Sequence, residues 1–275
     1  MALASGTETF TPSGAESVGV RWWRELLGLA ALYASYSFTR NLFGSGMVSP
    51  AAAYRNARRV MNVERSLGLF HEQAVQRWFL SVDPLIEAFN LFYGTAHFVV
   101  PIVVLVALYR WHPEQYRRWR NVILLTTAAA LVIFSLFPLM PPRLLADCGR
   151  YGACVSSGFV DTLAHHNSPM SFGSPRVAAV SNQFAAMPSL HFAWALWAAL
   201  AAQPLVRRRE VRVALFAYPA VTLLTIVVTG NHYFMDAAIA GVVVGAAGAA
   251  QLIVEHRRAL HRPDGQEPGR RPIRP

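Results

Sequence analysis

Lysine is absent from this chain of 275 residues, and all 25 of its basic residues are arginine. Charged residues are scarce as a whole: they make up 15% of the sequence, whereas 54% of it is hydrophobic. A soluble domain carries about a quarter of charged residues, so the composition argues against a soluble protein. The chain also has no glycine-rich nucleotide loop and no internal repeat. These features favour a bundle of membrane helices.

Six stretches are apolar enough to cross a membrane, for which a helix needs roughly 20 residues. They are residues 22–38, 85–109, 122–140, 190–206, 211–229 and 232–254. We therefore predict an all-α fold, with residues 21–256 forming the six-transmembrane-helix bundle of a polytopic membrane protein. Residues 1–20 are polar and lack the basic start of a cleaved signal peptide. Residues 257–275 are basic, and both ends are predicted to be disordered tails.

The arginines cluster between the apolar stretches and predict the orientation. The four clusters are Arg21 and Arg24; Arg110, Arg117, Arg118 and Arg120; Arg207, Arg208, Arg209 and Arg212; and Arg257, Arg258, Arg262, Arg270, Arg271 and Arg274. All four lie on one side of a six-span protein, and the positive-inside rule makes that side cytoplasmic. Both tails are then cytoplasmic, in what we expect to be the plasma membrane. The net charge of +10 indicates contact with anionic lipid and not with nucleic acid.

The first loop, residues 40–84, lies outside in this topology although it carries six arginines. Long loops cross a membrane largely regardless of their charge. Apolar residues recur along this loop at helical spacing, which predicts amphipathic helices on the membrane surface. These residues are Val60, Val63, Leu67, Phe70, Val75, Trp78 and Phe79.

Cysteine is nearly absent, and the only two cysteines, Cys148 and Cys154, lie close together in the third loop, residues 141–189. That loop is also outside in the predicted topology. Outside the cytosol such a pair can close a small disulfide, which is the state we expect. Two unpaired thiols are the alternative.

Three polar motifs lie at the predicted outer ends of spans: residues 141–143, 186–191 and 230–236. His232 and Asp236 are four residues apart, so a helix places them on one face. A carboxylate beside one imidazole nitrogen fixes the tautomer and leaves the other nitrogen free to attack. His191 and His232 each begin a helix, where unpaired N–H groups favour anions. With Arg143, which can grip two phosphate oxygens, these are the parts needed for phosphoryl transfer through a phosphohistidine.

Residues 188–191, Pro-Ser-Leu-His, followed by His232 and Asp236, resemble the second and third motifs of the type 2 phosphatidic acid phosphatase superfamily. The fuller forms are Pro-Pro-Arg at 141–143, Ala-Met-Pro-Ser-Leu-His at 186–191 and Gly-Asn-His-Tyr-Phe-Met-Asp at 230–236. They are similar to the inositol phosphorylceramide synthase branch of that superfamily, as are residues 64–70 and 93–98. The resemblance covers roughly residues 50–246, in the expected order.

The resemblance implies a six-span enzyme with an outward-facing site, acting on a phosphate ester of a membrane lipid. It implies His232 as the nucleophile, Asp236 as the group that orients it and His191 as the acid to the leaving oxygen. Arg143 and Ser189 are the implied phosphate-binding residues.

The acceptor is left open by the sequence. Water as the acceptor gives a phosphatase, whereas a lipid or polyol hydroxyl gives a phosphotransferase, for example one that transfers phosphoinositol. A non-catalytic transporter or scaffold that retains the fold is the alternative from another class. We expect no cofactor. We also expect no metal, because the adjacent His165 and His166 have no third ligand at metal spacing.

Two positions depart from the superfamily's pattern. Ile226 stands where the third motif usually has arginine, and Leu190 stands where the second motif usually has glycine. We expect Arg176 or an arginine of the first loop to supply the missing positive charge.

Two further polar residues are given structural interpretations. His97 lies deep in a predicted span and is expected to serve packing or helix–helix hydrogen bonding. Glu64 is expected to be a surface charge that pairs with Arg59 or Arg65.

Overall fold

A computed structural model of the chain describes residues 49–165 and 182–261, together with Trp23, Leu27 and Ala34. Those three residues are helical, but the rest of the predicted span 22–38 lies outside the described residues. The predicted tail 1–20, the part of the predicted C-terminal tail beyond residue 261, Arg176 and His166 lie outside them too.

Helices make up most of the described ranges, and these ranges contain no β-strand, which confirms the all-α prediction. The helices are α1 (Pro50–Ser66), α2 (Glu72–Phe79), α3 (Asp83–Trp111), α4 (Pro113–Leu136), α5 (Thr162–His165), α6 (Leu190–Ala201), α7 (Arg209–Ala214), α8 (Ala217–Val228) and α9 (Phe234–Leu260). Short 3₁₀ turns occupy Pro142–Leu144 and Gln203–Leu205.

Four of the described helical segments are long and apolar enough to span a membrane: α3, α4, α9 and the segment Arg209–Val228, which combines α7 and α8. They overlap the predicted spans 85–109, 122–140, 232–254 and 211–229. Large apolar side chains are exposed on them, such as Ile102 on α3 and Val242 on α9. Lipid contact explains this exposure, and the four segments indicate an integral membrane protein.

The bounds of two helices differ from the predicted spans. α4 begins at Pro113 because proline fits the first turn of a helix, where its missing N–H leaves no bond unmade. It ends at Leu136 because Pro138 disfavours helical geometry in the residue before it. α9 continues to Leu260, four residues into the segment predicted as a basic tail.

The predicted span 190–206 forms a helix of only 12 residues, α6, followed by the 3₁₀ turn at Gln203–Leu205. At about 1.5 Å per residue such a helix is roughly 18 Å long, shorter than the hydrocarbon layer. Its side chains face other helices: Ala193, Ala195 and Trp197 are at most 1% exposed, and α6 contacts α3, α4, α8 and α9. Its continuous apolar character therefore reflects burial in the bundle, and the described residues do not establish six spans.

The first loop contains two helices, α1 and α2. Ser49 caps α1 by accepting a hydrogen bond from the Ala52 N–H, at 3.1 Å. The buried face of α1 includes Ala53 and packs against Met140 and Tyr233. Outside this face α1 exposes other apolar residues, including Val63 at 46%. Their location at a membrane surface stays a prediction.

Candidate functional site

The three polar motifs of the sequence meet at one end of the bundle. The Arg143 N–H donates to the Gly230 carbonyl at 2.8 Å, which joins the first motif to the third. The Ser189 N–H donates to the Asp236 carbonyl at 3.1 Å, which joins the second motif to the third. The imidazole rings of His191 and His232 are 5.9 Å apart between centroids.

Gly230 makes the turn between α8 and α9 possible. Its φ of +68° lies in the left-handed region that favours glycine. A Cβ at this position would also lie 3.3 Å from the Cβ of Arg143, closer than side chains normally approach. Glycine therefore allows the third motif to sit directly against the first.

His232 and Asp236 form a buried pair, with the histidine 4% exposed and the aspartate 0% exposed. His232 Nδ1 lies 3.2 Å from Asp236 Oδ2. A carboxylate oxygen can only accept, so Nδ1 carries the hydrogen and Nε2 keeps its lone pair. Among the described residues, Nε2 has no hydrogen-bond partner.

The spacing predicted that the two residues lie on one face of a helix, and the structure does not show this arrangement. α9 begins at Phe234, and Tyr233 is its N-cap in an extended conformation. Asp236 reaches back from the first turn, accepting from the Tyr233 N–H at 3.0 Å as well as from His232. The contact depends on a capping turn, which explains how His232 can precede the helix and still meet Asp236.

The start of α9 is occupied by carboxylates, so it is not the free anion site that the sequence suggested. Glu72 Oε1 accepts from the Phe234 N–H at 3.0 Å, and Glu64 Oε1 accepts from the Met235 N–H at 2.7 Å. Both glutamates are 0% exposed. The interpretation of Glu64 as a surface charge is therefore wrong, because Glu64 lies on the buried face of α1.

His191 is surrounded by aromatic rings from α3. Tyr93 stacks on it with centroids 4.1 Å apart, and the His97 ring is also 4.1 Å away. His97 Nδ1 lies 2.7 Å from the Tyr93 carbonyl, which can only accept, so this nitrogen carries the hydrogen. His191 Nε2 is buried and has no hydrogen-bond partner within the described part of the chain. The structure thus places His97 beside the site. The sequence prediction rested on the position of His97 deep in its helix and did not include this contact.

The guanidinium of Arg143 is held in place by three side chains. It donates to Asn231 at 3.0 Å, to Asp161 at 2.9 Å and to Gln183 at 2.7 Å. Three of its five N–H donors are used, and the other two are on the terminal nitrogens. Asp161 and Gln183 were missed in the sequence because they lie in loops without periodic pattern.

Ser189 lies at the start of α6 and is 0% exposed. Its hydroxyl accepts from the Phe192 N–H at 3.4 Å and caps the helix. The structure therefore gives this hydroxyl a backbone partner as an acceptor, and its O–H stays able to donate, so the predicted contact with phosphate stays a prediction.

The two positions that depart from the superfamily's pattern are apolar contacts in the structure. Ile226 is 0% exposed and packs in a core cluster, and Leu190 packs near Phe134. The first-loop arginines in the described region are exposed and do not line the cavity at the site, so they do not supply the missing charge; they are Arg55, Arg58, Arg59, Arg65 and Arg77.

A cavity of about 180 Å³ opens between Arg143 and His191. Its lining is Tyr93, His97, Phe98, Arg143, Leu163, Asn182, Gln183, His191 and Asn231. Pockets for drug-sized ligands start at about 300 Å³, so this cavity suits a compact polar group such as a phosphate and not an acyl chain.

The loop after Arg143 folds back on itself. Cys148 and Cys154 are joined by a disulfide, and the Ala153 and Val155 N–H groups donate to the Leu144 and Leu145 carbonyls at 3.1 and 2.9 Å. The small ring thus lies a few residues beyond the arginine of the cavity.

Comparison with known proteins identifies the family. The model of the PAP2 superfamily matches residues 58–251, well over half of the chain, and this range includes all three motifs of the site. No curated protein and no solved structure matches the chain. The chain belongs to the PAP2 superfamily, the type 2 phosphatidic acid phosphatases, and is a lipid phosphatase-like membrane protein.

Proposed function

We propose that the protein is an integral membrane enzyme that cleaves a phosphate ester of a membrane lipid through a phosphohistidine on His232. The observation that carries this proposal is the buried His232–Asp236 pair, which leaves Nε2 with its lone pair. His191 and Arg143 lie beside it at the cavity, where a compact anion fits. An acid and a phosphate-binding cation are therefore close to the proposed nucleophile.

In the first step, His232 Nε2 attacks phosphorus and the bond from phosphorus to the leaving oxygen breaks. A protonated His191 gives its proton to that oxygen, so a neutral alcohol departs. Asp236 stabilises the positive charge that develops on the His232 ring. Arg143 binds the non-bridging oxygens with its remaining N–H donors.

In the second step, an acceptor hydroxyl loses its proton to His191 and its oxygen attacks phosphorus. The phosphorus–nitrogen bond breaks, and His232 is released. Water as the acceptor makes the protein a phosphatase, and a lipid or polyol hydroxyl makes it a phosphotransferase. The motif resemblance to the inositol phosphorylceramide synthase branch supports transfer of a phospho-headgroup, such as phosphoinositol.

Ser189 has a supporting role in this scheme. Its hydroxyl caps α6, which begins with the residue before His191, and its N–H binds the Asp236 carbonyl. We propose that it keeps the second and third motifs in register, and that its O–H donates to phosphate as the resemblance implies.

We propose that the protein lies in the plasma membrane. The arginine clusters support both tails in the cytoplasm and the site on the outer face. They also support contact with anionic lipid at the cytoplasmic face. A transporter or scaffold without chemistry would have no need of the assembled set His232, Asp236, His191 and Arg143, so the enzyme is favoured.

Purified protein in detergent micelles, given a panel of lipid phosphates and phospholipids, tests the proposal. Phosphate release without added acceptor identifies a phosphatase, whereas headgroup exchange that needs an added alcohol or lipid identifies a phosphotransferase. Both activities should vanish in His232→Ala. If neither occurs with any member of the panel, the enzyme proposal is contradicted.

A further inference from the structure

Two buried glutamates of the first loop hold the turn that follows His232. Glu64 comes from α1 and Glu72 from α2, and both are 0% exposed. Their Oε1 atoms accept from the N–H groups of Met235 and Phe234, at 2.7 and 3.0 Å. Three carboxylates, counting Asp236, thus bind consecutive N–H groups at the start of α9.

Glu64 and Glu72 must share one proton. The Oε2 atom of each glutamate is buried without a hydrogen-bond donor among the described residues, and the two side chains can hydrogen-bond to each other once one of them is protonated. Two ionised carboxylates in contact and away from water would repel, so one of them stays protonated. Burial, followed by the hydrogen bond to Glu72, raises the pKa of Glu64 to about 9.

The surroundings of Glu64 offer no compensating cation in the described structure. The titratable groups that face it are Glu72 from α2 and Asp236 and Tyr233 from the start of α9. Each of these is acidic, so ionising the second glutamate would add another negative charge to a negative, buried cluster.

We propose that Glu64 and Glu72 are positioning residues, a carboxyl pair sharing one proton that fixes the first turn of α9 and thereby the His232–Asp236 pair. This inference rests on the proposed function of His232 as nucleophile. The pair binds the two N–H groups immediately after Tyr233, so it restrains the backbone between His232 and Asp236. It also closes these amides to phosphate, which leaves Arg143 as the cation available at the cavity.

Glutamine and alanine at position 64 separate positioning from simple packing. In Glu64→Gln, the side-chain oxygen still accepts from Met235, and the amide N–H replaces the shared proton by donating to Glu72. In Glu64→Ala, the Met235 N–H loses its acceptor and Glu72 loses its partner. Glu87→Ala on the exposed face of α3 is the matched control.

The experiment combines kcat on a cleaved lipid phosphate with amide hydrogen exchange of peptides covering residues 230–238. We expect Glu64→Ala to lower kcat at least about tenfold, with KM nearly unchanged, and to speed exchange in those peptides. Glu64→Gln should keep at least about a third of the wild-type kcat at pH 7, with slow exchange, because its hydrogen bonds persist.

The ratio of the kcat of Glu64→Gln to that of wild type should rise above about pH 9, where only wild type loses the shared proton. Ionisations common to both proteins cancel in this ratio. The ratio does not involve Glu64→Ala, so the test holds even if that variant fails to fold. A flat ratio, a glutamine variant as impaired as the alanine variant, or unchanged exchange in Glu64→Ala would each overturn the proposal. If wild type cleaves no lipid phosphate but exchange in Glu64→Ala is still faster than in wild type, the proposed function is contradicted and the positioning role stands.

Discussion

The proposed reactivity of His232 depends on one hydrogen bond, from Nδ1 to Asp236 at 3.2 Å. Asp236→Asn keeps the shape of the side chain but removes the charge that stabilises the histidine cation. In the serine-protease triad the analogous change lowers kcat about 10⁴-fold, so we expect a loss of several orders of magnitude here. Steady-state kinetics in detergent measures it, with Asp83→Asn at the exposed start of α3 as control. A loss below about tenfold would contradict the role of Asp236.

Arg143 is more than a positive charge, because three side chains orient its guanidinium. In Arg143→Lys the charge remains, but one ammonium cannot satisfy Asn231, Asp161 and Gln183 and also grip two phosphate oxygens. We expect kcat/KM to fall by about a hundredfold, measured on the same lipid phosphate. Arg110→Lys on the exposed end of α3 should be neutral. Equal activity of the two variants would show that charge alone suffices.

Short-range spacing and motif order were enough to predict which residues of the motifs are brought together. The partners of Arg143 were not predictable in this way, because Asp161 and Gln183 are 18 and 40 residues away and reach it through loops. Glu64 was misinterpreted for a related reason. A glutamate between arginines in an exposed helix and a glutamate that caps a distant helix have the same local sequence, and only tertiary packing separates them.

At the scale of elements, the loop between the first motif and α5 is closed by Cys148 and Cys154. If the disulfide forms in the cell, intact protein from membranes should resist thiol alkylation and take up two labels after reduction. A small ring of this kind contributes on the order of 2–3 kcal/mol under the loop-closure model. Mass spectrometry of alkylated protein is the measurement. Labelling of both thiols without reductant would show that they are unpaired.

Apolar length and apolar spacing explain which helix predictions agree with the structure. Long apolar stretches predicted α3 and α9 well, because lipid-facing helices need continuous apolar length. The same criterion does not decide whether α6 is a span, since a short helix packed among other helices is equally apolar. Apolar spacing predicted helices in the first loop, where α1 and α2 lie, although Val63 of α1 and Leu67, the residue after α1, are exposed.

At the scale of the whole molecule, composition alone predicted a membrane protein, because 15% charged residues cannot cover a soluble surface. The count of spans was less predictable. It depends on residues 22–38, which lie mostly outside the described structure, and on α6, whose length is below that of a full span. The PAP2 superfamily match fixes the family but leaves the acceptor and the orientation to experiment.

Orientation is tested with reporter fusions. A reporter that is active only in the cytoplasm should be active after Leu260, where the arginine-rich C-terminal segment follows α9. The same reporter inserted near Ser168 should be silent. The positive-inside rule predicts this pattern from the arginine clusters. The opposite pattern would place the site on the cytoplasmic face.

The turnover of His232→Ala on a lipid phosphate tests the proposed mechanism most directly. His232 is buried, but it lies in the polar turn before α9 and not within a helix, so the variant should remain extractable and folded. His71→Ala, at an exposed histidine of the first loop, is the matched control and should behave as wild type. We expect His232→Ala to abolish turnover and to form none of the acid-labile phosphoenzyme that wild type accumulates after rapid quenching. Near-normal turnover by His232→Ala on any accepted substrate would contradict the phosphohistidine mechanism.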